Sequence, residues 1–512
     1  MNDSPPAALE DPVTPAGLGA PLERQSEDHR GRDLDRSLLR GLAWTGAARW
    51  ATQLLSWAST VVVARLLTPT DYGLVGMALV YLSFMQLVNE FGLGAAIVTL
   101  RDLTEDQIAR LGGLALLLSC GFVAVSAVLA GPVATFFGEA TVRWLIIAYS
   151  LSFVTSAFQT LPRSLLQRDL DFRRLAWVDG AEALVQTAGT LTLALVGLRY
   201  WALVLGLLIA RITGATLLNA WRPHRLAWPR RVDIVGESVT FGWHLVLARV
   251  AWYVYSNADF AVVGRVLGKA ALGAYTLGWT ISSIPVDRVT SLVGSVTPAV
   301  LSAVQHDRLA LQRYLQSLTE GLALVTFPAA VGIALIADEF VVVVLGEHWR
   351  PAIVPLQLLA VSAALRSVSP LLPPVIVATG HTRRNLQFNV LAAVILPFLF
   401  YLGTYWGTAG VAAAWVVGHP VVVMSVYLAY ALHVTGLRLS GYLRSLSPAA
   451  GATFLMAAVV LSVRFASLST WPMNVRLGTQ VLSGVAAYVA IVYFAHGARL
   501  RALWSLVREM RT

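Results

Sequence analysis

Leu386–Trp406 (LQFNVLAAVILPFLFYLGTYW) and Gly407–Leu432 (GTAGVAAAWVVGHPVVVMSVYLAYAL) adjoin in the chain, and neither holds an Asp, Glu, Lys or Arg. A helix crosses the hydrocarbon of a bilayer in about 20 mostly apolar residues. Two such stretches joined end to end read as a pair of spanning helices with a tight turn between them. Leu111–Gly131, Trp144–Pro162, Ser445–Val463 and Leu477–Ala498 are equally free of charge. Over the 512 residues the hydrophobic share is 57% and the charged share 13%. Soluble domains carry roughly 25% charge, so there are too few charged side chains here to cover a water-facing surface. The natural solvent for most of the chain is lipid.

Extending the count to stretches that tolerate a charge or a break gives fourteen spans. They fall at 41–67, 72–98, 111–131, 144–162, 177–198, 200–221, 238–267, 271–300, 316–337, 353–379, 386–406, 407–432, 445–466 and 477–498. The eighth is interrupted by Pro285, Asp287 and Arg288. The fold class is therefore an all-α polytopic membrane protein of about 14 transmembrane helices. Residues 1–38, rich in Pro, Asp, Glu and Arg, lack the apolar run of a signal peptide and read as a disordered tail.

Orientation follows from where the Lys and Arg sit in short connections. With the N-terminus in the cytoplasm, one inner connection holds Arg163, Arg168, Arg173 and Arg174, and the next holds Arg222, Arg225, Arg230 and Arg231. The outer connections hold at most one basic residue each: Arg143, Arg199, Lys269, Arg350 or Arg476. The alternation places both termini in the cytoplasm and the protein in the inner (plasma) membrane. The outer connections are too short for an extramembrane domain.

Shifting the sequence by 200 positions lays Val62–Leu67 (VVARLL) on Val262–Leu267 (VVGRVL), Gly73 on Gly273, Arg49 on Arg249 and Ala51 on Ala251. The first and seventh spans run in one direction, six helices apart. This predicts two parallel six-helix lobes related by an axis along the membrane normal, 39–222 and 223–436. Spans 13 and 14 (437–498) and a cytoplasmic tail (499–512) follow. Transporters built this way hold cargo between the lobes and rock one against the other.

The net charge of +10 does not point to nucleic acid, because the basic residues lie in short loops and form no continuous face. All but Lys269 of the 38 basic residues are Arg. Cys120 is the one cysteine, so no disulfide or thiolate metal cage forms within the chain. No phosphate-binding loop, metalloprotease helix or nucleophile elbow is present. The chain reads as a non-enzyme without cofactor or metal. His419 reads as a satisfied packing residue. The Trp and Tyr near span ends read as interfacial anchors.

Charges inside spans carry the functional information, because an ionised group in hydrocarbon turns to a wet cavity or a partner. Arg49 and Arg249 lie in equivalent spans and would face a central cavity from opposite lobes. Paired guanidiniums suit a phosphate or pyrophosphate. Arg211 and Arg366 are further cavity candidates, whereas Arg65 and Arg265 read as structural. Asp259, Glu90 and Asp287 are candidates for binding a coupling cation or proton, with counter-ion of a nearby Arg the favoured reading. Asp179 and Glu182 read as solvated at a membrane edge. Gly92, Gly94 and Pro285 are candidate bends.

Four segments carry a family resemblance. Arg65–Gly73 (RLLTPTDYG) resembles the signature between the first two helices of oligosaccharide flippases. Asn257–Gly268 (NADFAVVGRVLG), followed by Leu272–Tyr275 (LGAY), resembles their seventh-to-eighth helix turn. Leu161–Arg173 (LPRSLLQRDLDFR) is similar to the basic loop of the Wzx-type colanic and teichuronic acid exporters. Leu345–Ala352 (LGEHWRPA) resembles their outer loop before helix 10. The resemblance implies the multidrug/oligosaccharidyl-lipid/polysaccharide exporter superfamily fold. It also implies an undecaprenyl-pyrophosphate-linked oligosaccharide as cargo and alternating access driven by an ion gradient or the membrane potential. The expected partners are that lipid-linked substrate, membrane lipids and polysaccharide polymerase machinery. The competing readings are a drug or cation antiporter of the same superfamily, a membrane polymerase or ligase, and a scaffold. The excess of Arg over acids within the spans favours an anionic cargo.

Overall fold

A computed structural model describes residues 59–89, 104–169, 171–228, 234–305, 307–466 and 471–509. Among them the chain is helical and forms no strand. Residues 59–66 are helical and give way at 67–68 to α1 (Pro69–Asn89). The short Thr-Pro-Thr-Asp run explains the start. The Thr68 hydroxyl accepts from the Asp71 amide at 3.3 Å, and Asp71 Oδ2 accepts from the Thr68 amide and hydroxyl at 3.0 and 2.7 Å. Pro69 takes the first helical position, where a missing N–H costs nothing. α2 (Glu105–Phe137) begins with the same device on Thr104 and Gln107 and ends on Gly138 at φ +73°. Then come α3 (Thr141–Arg168), α4 (Phe172–Leu195), α5 (Tyr200–Trp221), α6 (Ile234–Val266) and α7 (Gly268–Ala303). α8 (Arg308–Phe340) starts on Asp307, which caps the amides of Leu309 and Ala310. It is followed by α9 (Ile353–Ser367), α10 (Leu372–Ala378), α11 (Thr382–Gly403), α12 (Gly407–Gly418), α13 (Ser425–Thr435), α14 (Leu439–Ala466) and α15 (Met473–Glu509).

Among the described residues, nine stretches are long and apolar enough to cross a membrane; one of them, Thr382–Thr435, contains two expected spans. The chain is a multi-pass membrane protein. Every expected span from the third onward coincides with a helix or a helix pair, and the described part of the second, 72–89, is helical. The first lies partly outside the described residues, and the count of fourteen is compatible with this arrangement. The interruptions fall elsewhere than expected. α7 runs unbroken through Pro285, Asp287 and Arg288. Span 10 is broken instead by a 3-10 turn at Ser369–Leu371, beside Pro370, Pro373 and Pro374. Span 12 carries a π-helical turn at His419–Met424, where Pro420 removes a donor from the ladder.

The packing order recurs six spans later. α2 packs on α3 as α8 packs on α9, and α4 on α5 as α11 on α12. α3 meets α5 as α9 meets α12, and α1 meets α3 as α7 meets α9. Ser59 donates to the Thr187 carbonyl, joining the first span to α4, just as α6 packs along α11. α1 and α7, equivalent in this scheme, pack on each other.

α14 and α15 dock on α8. Their anchor is Glu339, a side chain with 0% exposure. It accepts from Arg476 Nη2 at 2.8 Å and Gln480 Nε2 at 3.1 Å, with Arg464 Nε at 3.9 Å. Arg464 also reaches Asp338 at 3.6 Å. A buried carboxylate is tolerable only with such partners, and removing one side strands the other. Glu339→Ala should therefore cost about 3 kcal/mol. It should appear as a lower midpoint of thermal unfolding in detergent and faster proteolytic cleavage near the α14–α15 connection.

Candidate functional site

A buried polar cluster that holds two of the expected site residues lies where α6, α7, α9 and α12 meet. Asp259 of α6 has 0% exposure. Its Oδ2 accepts from the Tyr275 hydroxyl at 2.7 Å and from Trp415 Nε1 at 2.8 Å, while Oδ1 has no hydrogen-bond partner. Arg366, in the last turn of α9, does not bond to this carboxylate. Its guanidinium stands 4.1 Å from the Trp279 ring centroid and 5.1 Å from that of Trp415, and its Nε has no partner. Asp259, Asp287, Tyr275 and Tyr255 are the ionisable groups close enough to act on it electrostatically.

The aromatic frame explains how a guanidinium sits there. Phe260 meets Tyr275 and Trp279 edge-on, each at 5.5 Å, and Trp279 meets Trp415 at 5.3 Å. Phe400 and His419 pack on Trp415 at 5.1 and 5.7 Å. An indole face attracts a cation through its quadrupole, most strongly when water is excluded. The indole N–H of Trp415 meanwhile serves Asp259. One tryptophan thus contacts both charges and holds them in fixed relation without a direct ion pair. Two opposite charges with three unfilled hydrogen-bonding positions nearby (Asp259 Oδ1, Arg366 Nε and His419 Nδ1) make a polar cluster in an apolar bundle. His419 does pack as expected, but its Nδ1 is unsatisfied.

A second polar seam joins α3, α4 and α5. Arg211 Nη1 lies 3.6 Å from Glu182 Oε2. Gln159 Nε2 donates to Glu182 Oε1 at 2.9 Å and to the Arg211 carbonyl at 2.8 Å. Gly214 makes room for the carboxylate, since a Cβ there would stand 1.5 Å from Glu182 Oε1. Glu182 is therefore an internal counter-ion rather than a solvated edge residue. Asp179 pairs with Arg163 on the same seam, and its side chain remains about half exposed.

The remaining candidates are dispersed. Arg249 is exposed on α6, and Asp287 is exposed on α7. Arg49, Glu90, Gly92 and Gly94 lie outside the described residues. The structure thus brings Arg366 and Asp259 into one cluster, with Asp287 within electrostatic reach, and puts Arg211 in another. Reading Trp and Tyr as interfacial anchors missed Trp279 and Trp415. The position of Trp415, eight residues inside a charge-free stretch, was the available signal.

The arrangement of these helices recurs in a solved membrane-protein structure. The structure of the lipid II flippase MurJ in an inward closed conformation superposes with a TM-score of 0.70, covering 89% of this chain and 99% of that one at 13% identity. Residues 62–354 match the family of polysaccharide biosynthesis proteins, and the chain belongs to that family. Teichuronic acid biosynthesis protein TuaB of Bacillus subtilis (strain 168) is 25% identical over 480 residues, 90% of this chain and 96% of its own length. Succinoglycan biosynthesis transport protein ExoT of Rhizobium meliloti (strain 1021) is 24% identical over 389 residues, 74% of this chain and 77% of its own.

Trp415→Phe keeps the ring and removes the donor to Asp259. It should destabilise the protein by about 1–3 kcal/mol, the cost of leaving a buried acceptor short of a partner. In an Asp259→Asn background the same change should cost less, because the acceptor is no longer charged. A double-mutant cycle on unfolding midpoints measures the coupling.

Proposed function

We propose that this chain is a flippase. It moves an undecaprenyl-pyrophosphate-linked oligosaccharide across the inner membrane for synthesis of a surface polysaccharide, by alternating access. The observation that supports this best is the coincidence of family and fold. The family is that of polysaccharide biosynthesis proteins, two relatives are named for making or transporting such polymers, and the fold is one that a lipid II flippase uses. On this reading the chain transports rather than catalyses, and it hands its cargo to polymerase machinery outside.

The recurring packing order supports two lobes, 39–222 and 223–436, with α14 and α15 appended. The distribution of Arg supports cytoplasmic termini, which puts the 67–71 turn and the α8–α9 connection at the outer end. The pyrophosphate needs cations in a site that water can enter. Arg49 and Arg249 are proposed to meet it, with Arg366 and Arg211 deeper in each lobe. Asp259, Glu90 and Asp287 are proposed for the coupling ion. Asp259 suits that role because one carboxylate oxygen is left without a partner inside the bundle.

Arg49→Ala and Arg249→Ala should each lower surface polymer about tenfold or more, as expected for losing a charge-assisted contact. Protein level should hold, and lipid-linked repeat units should accumulate on the inner face. Wild-type export in both variants rejects the paired-arginine site. Drug resistance on overexpression, without such accumulation on deletion, favours the antiporter instead.

A further inference from the structure

Three of the four family-like segments, distant in sequence, meet at one place. The helix of residues 59–66 ends with carbonyls that its own ladder cannot satisfy. Trp349, wholly buried, donates from Nε1 to the Ala64 carbonyl at 2.7 Å. His348 Nε2 lies 3.2 Å from the Leu67 carbonyl. In return, Arg65 donates from Nε to the Val344 carbonyl at 2.7 Å and from Nη2 to that of Val343. Those acceptors belong to a π-helical turn, Val341–Leu345, which closes on Gly346 at φ +109°. Tyr72 meets Trp349 edge-on at 5.3 Å. Each segment thus supplies donors to the other's free carbonyls.

One turn further along, α1 and α7 cross at two glycines 200 residues apart. A Cβ on Gly73 would stand 1.7 Å from the Lys269 carbonyl oxygen, and a Cβ on Gly273 would stand 1.7 Å from that of Pro69. The offset that lays 73 on 273 also lays 69 on 269. The contact is therefore reciprocal, each lobe offering the same glycine to the same carbonyl of its counterpart. Such a self-complementary contact lies on the axis relating the two halves. Asp71 is pinned within its own lobe by Arg199 at 3.2 Å, while Lys269 reaches across to Glu139 of the other lobe at 2.8 Å and adds an ion pair to the joint.

We infer that residues 64–73, 269–273 and 343–349 form a latch that holds the two lobes together at the outer end, and that it must part for the outward-open state. The inference rests on the two-lobe, N-terminus-in reading. A latch made of hydrogen bonds between backbone carbonyls and side-chain donors suits this task. Each bond contributes modestly when exchanged for water, so the set holds in a closed, dry joint and releases once water enters. The glycines set how closely the joint shuts, and no larger residue fits while it is shut.

The test uses full-length protein carrying Cys120→Ser, to remove the native thiol, and Thr276→Cys, a reporter on α7 beneath the crossing. The probe is a membrane-impermeant maleimide added from the periplasmic side. Arg65→Ala and Trp349→Phe should each speed labelling about tenfold, the population shift expected from losing one or two such bonds. Gly73→Ala and Gly273→Ala should speed it to the same extent as each other, because their contacts are equivalent. Unchanged labelling in all four variants at parental protein level overturns the latch, and unequal effects of the two glycine variants overturn its reciprocity. If the variants do not accumulate, Arg65→Cys with Val344→Cys in the Cys120→Ser background tests the contact itself. A short bis-thiol linker should join them in membranes, and failure to join overturns the contact. Labelling reports motion and is independent of cargo. A flippase reading that fails on polymer export would leave these results standing, and the reverse holds equally.

Discussion

Hydrocarbon offers no hydrogen bonds, and this constraint shapes every feature described above. A chain in such a solvent must close its backbone bonds within helices and find internal partners for the polar groups it retains. The helices of this protein satisfy the first demand, with side-chain caps at Thr68, Thr104 and Asp307 where water-facing ends begin. The second demand accounts for the three polar clusters. Glu339 gathers Arg464, Arg476 and Gln480; Glu182 gathers Arg211 and Gln159; Asp259 takes Tyr275 and Trp415. The first two neutralise their charge by direct ion pairing and so fix helices in place. The third does not, since its arginine is held by indole faces instead of by the carboxylate.

That difference separates structural from functional electrostatics. A carboxylate already bound to a guanidinium has little left to offer a migrating ion. Asp259 Oδ1 and Arg366 Nε are without partners, as are Glu339 Oε2 and Arg476 Nε, so what sets the Asp259 cluster apart is that its guanidinium lies against the Trp279 and Trp415 rings and makes no direct ion pair with the carboxylate. The aromatic frame lets two opposite charges persist near one another without extinguishing each other.

Much of the fold was legible in the sequence because lipid demands length and apolarity, both of which are read along the chain. The span 200–221 matches α5 end to end, and 353–379 was seen whole although it comprises two helices. The breaks were not legible. A proline does not by itself decide whether a helix breaks: Pro285 sits in an unbroken helix, while Pro370 and Pro420 lie at departures from α geometry. Partners of charges were equally hidden, since Asp259, Tyr275, Arg366 and Trp415 come from four helices, and only the first two lie in one family-like segment. Glu182 was misjudged for that reason: its place near a span end suggested water, and only tertiary packing supplies Gln159 and Arg211.

The repeat at offset 200 was legible as a pattern but not as a contact. One glycine pair and two arginine pairs at equal spacing say that the halves are alike; they do not say where the halves touch. Likeness has a mechanical consequence once the halves pack about a common axis. Any residue close to that axis meets its own counterpart, so both must be small or the joint cannot shut. Gly73 and Gly273 satisfy this condition against the carbonyls of Lys269 and Pro69. Away from the axis the halves are free to diverge, and they do. Both arginines reach across, but to different partners: Arg65 to the carbonyls of Val343 and Val344, Arg265 to the ring of Phe136. On the proposed two-lobe reading, symmetry at the crossing with asymmetry around it lets the halves move as equals and bind as individuals.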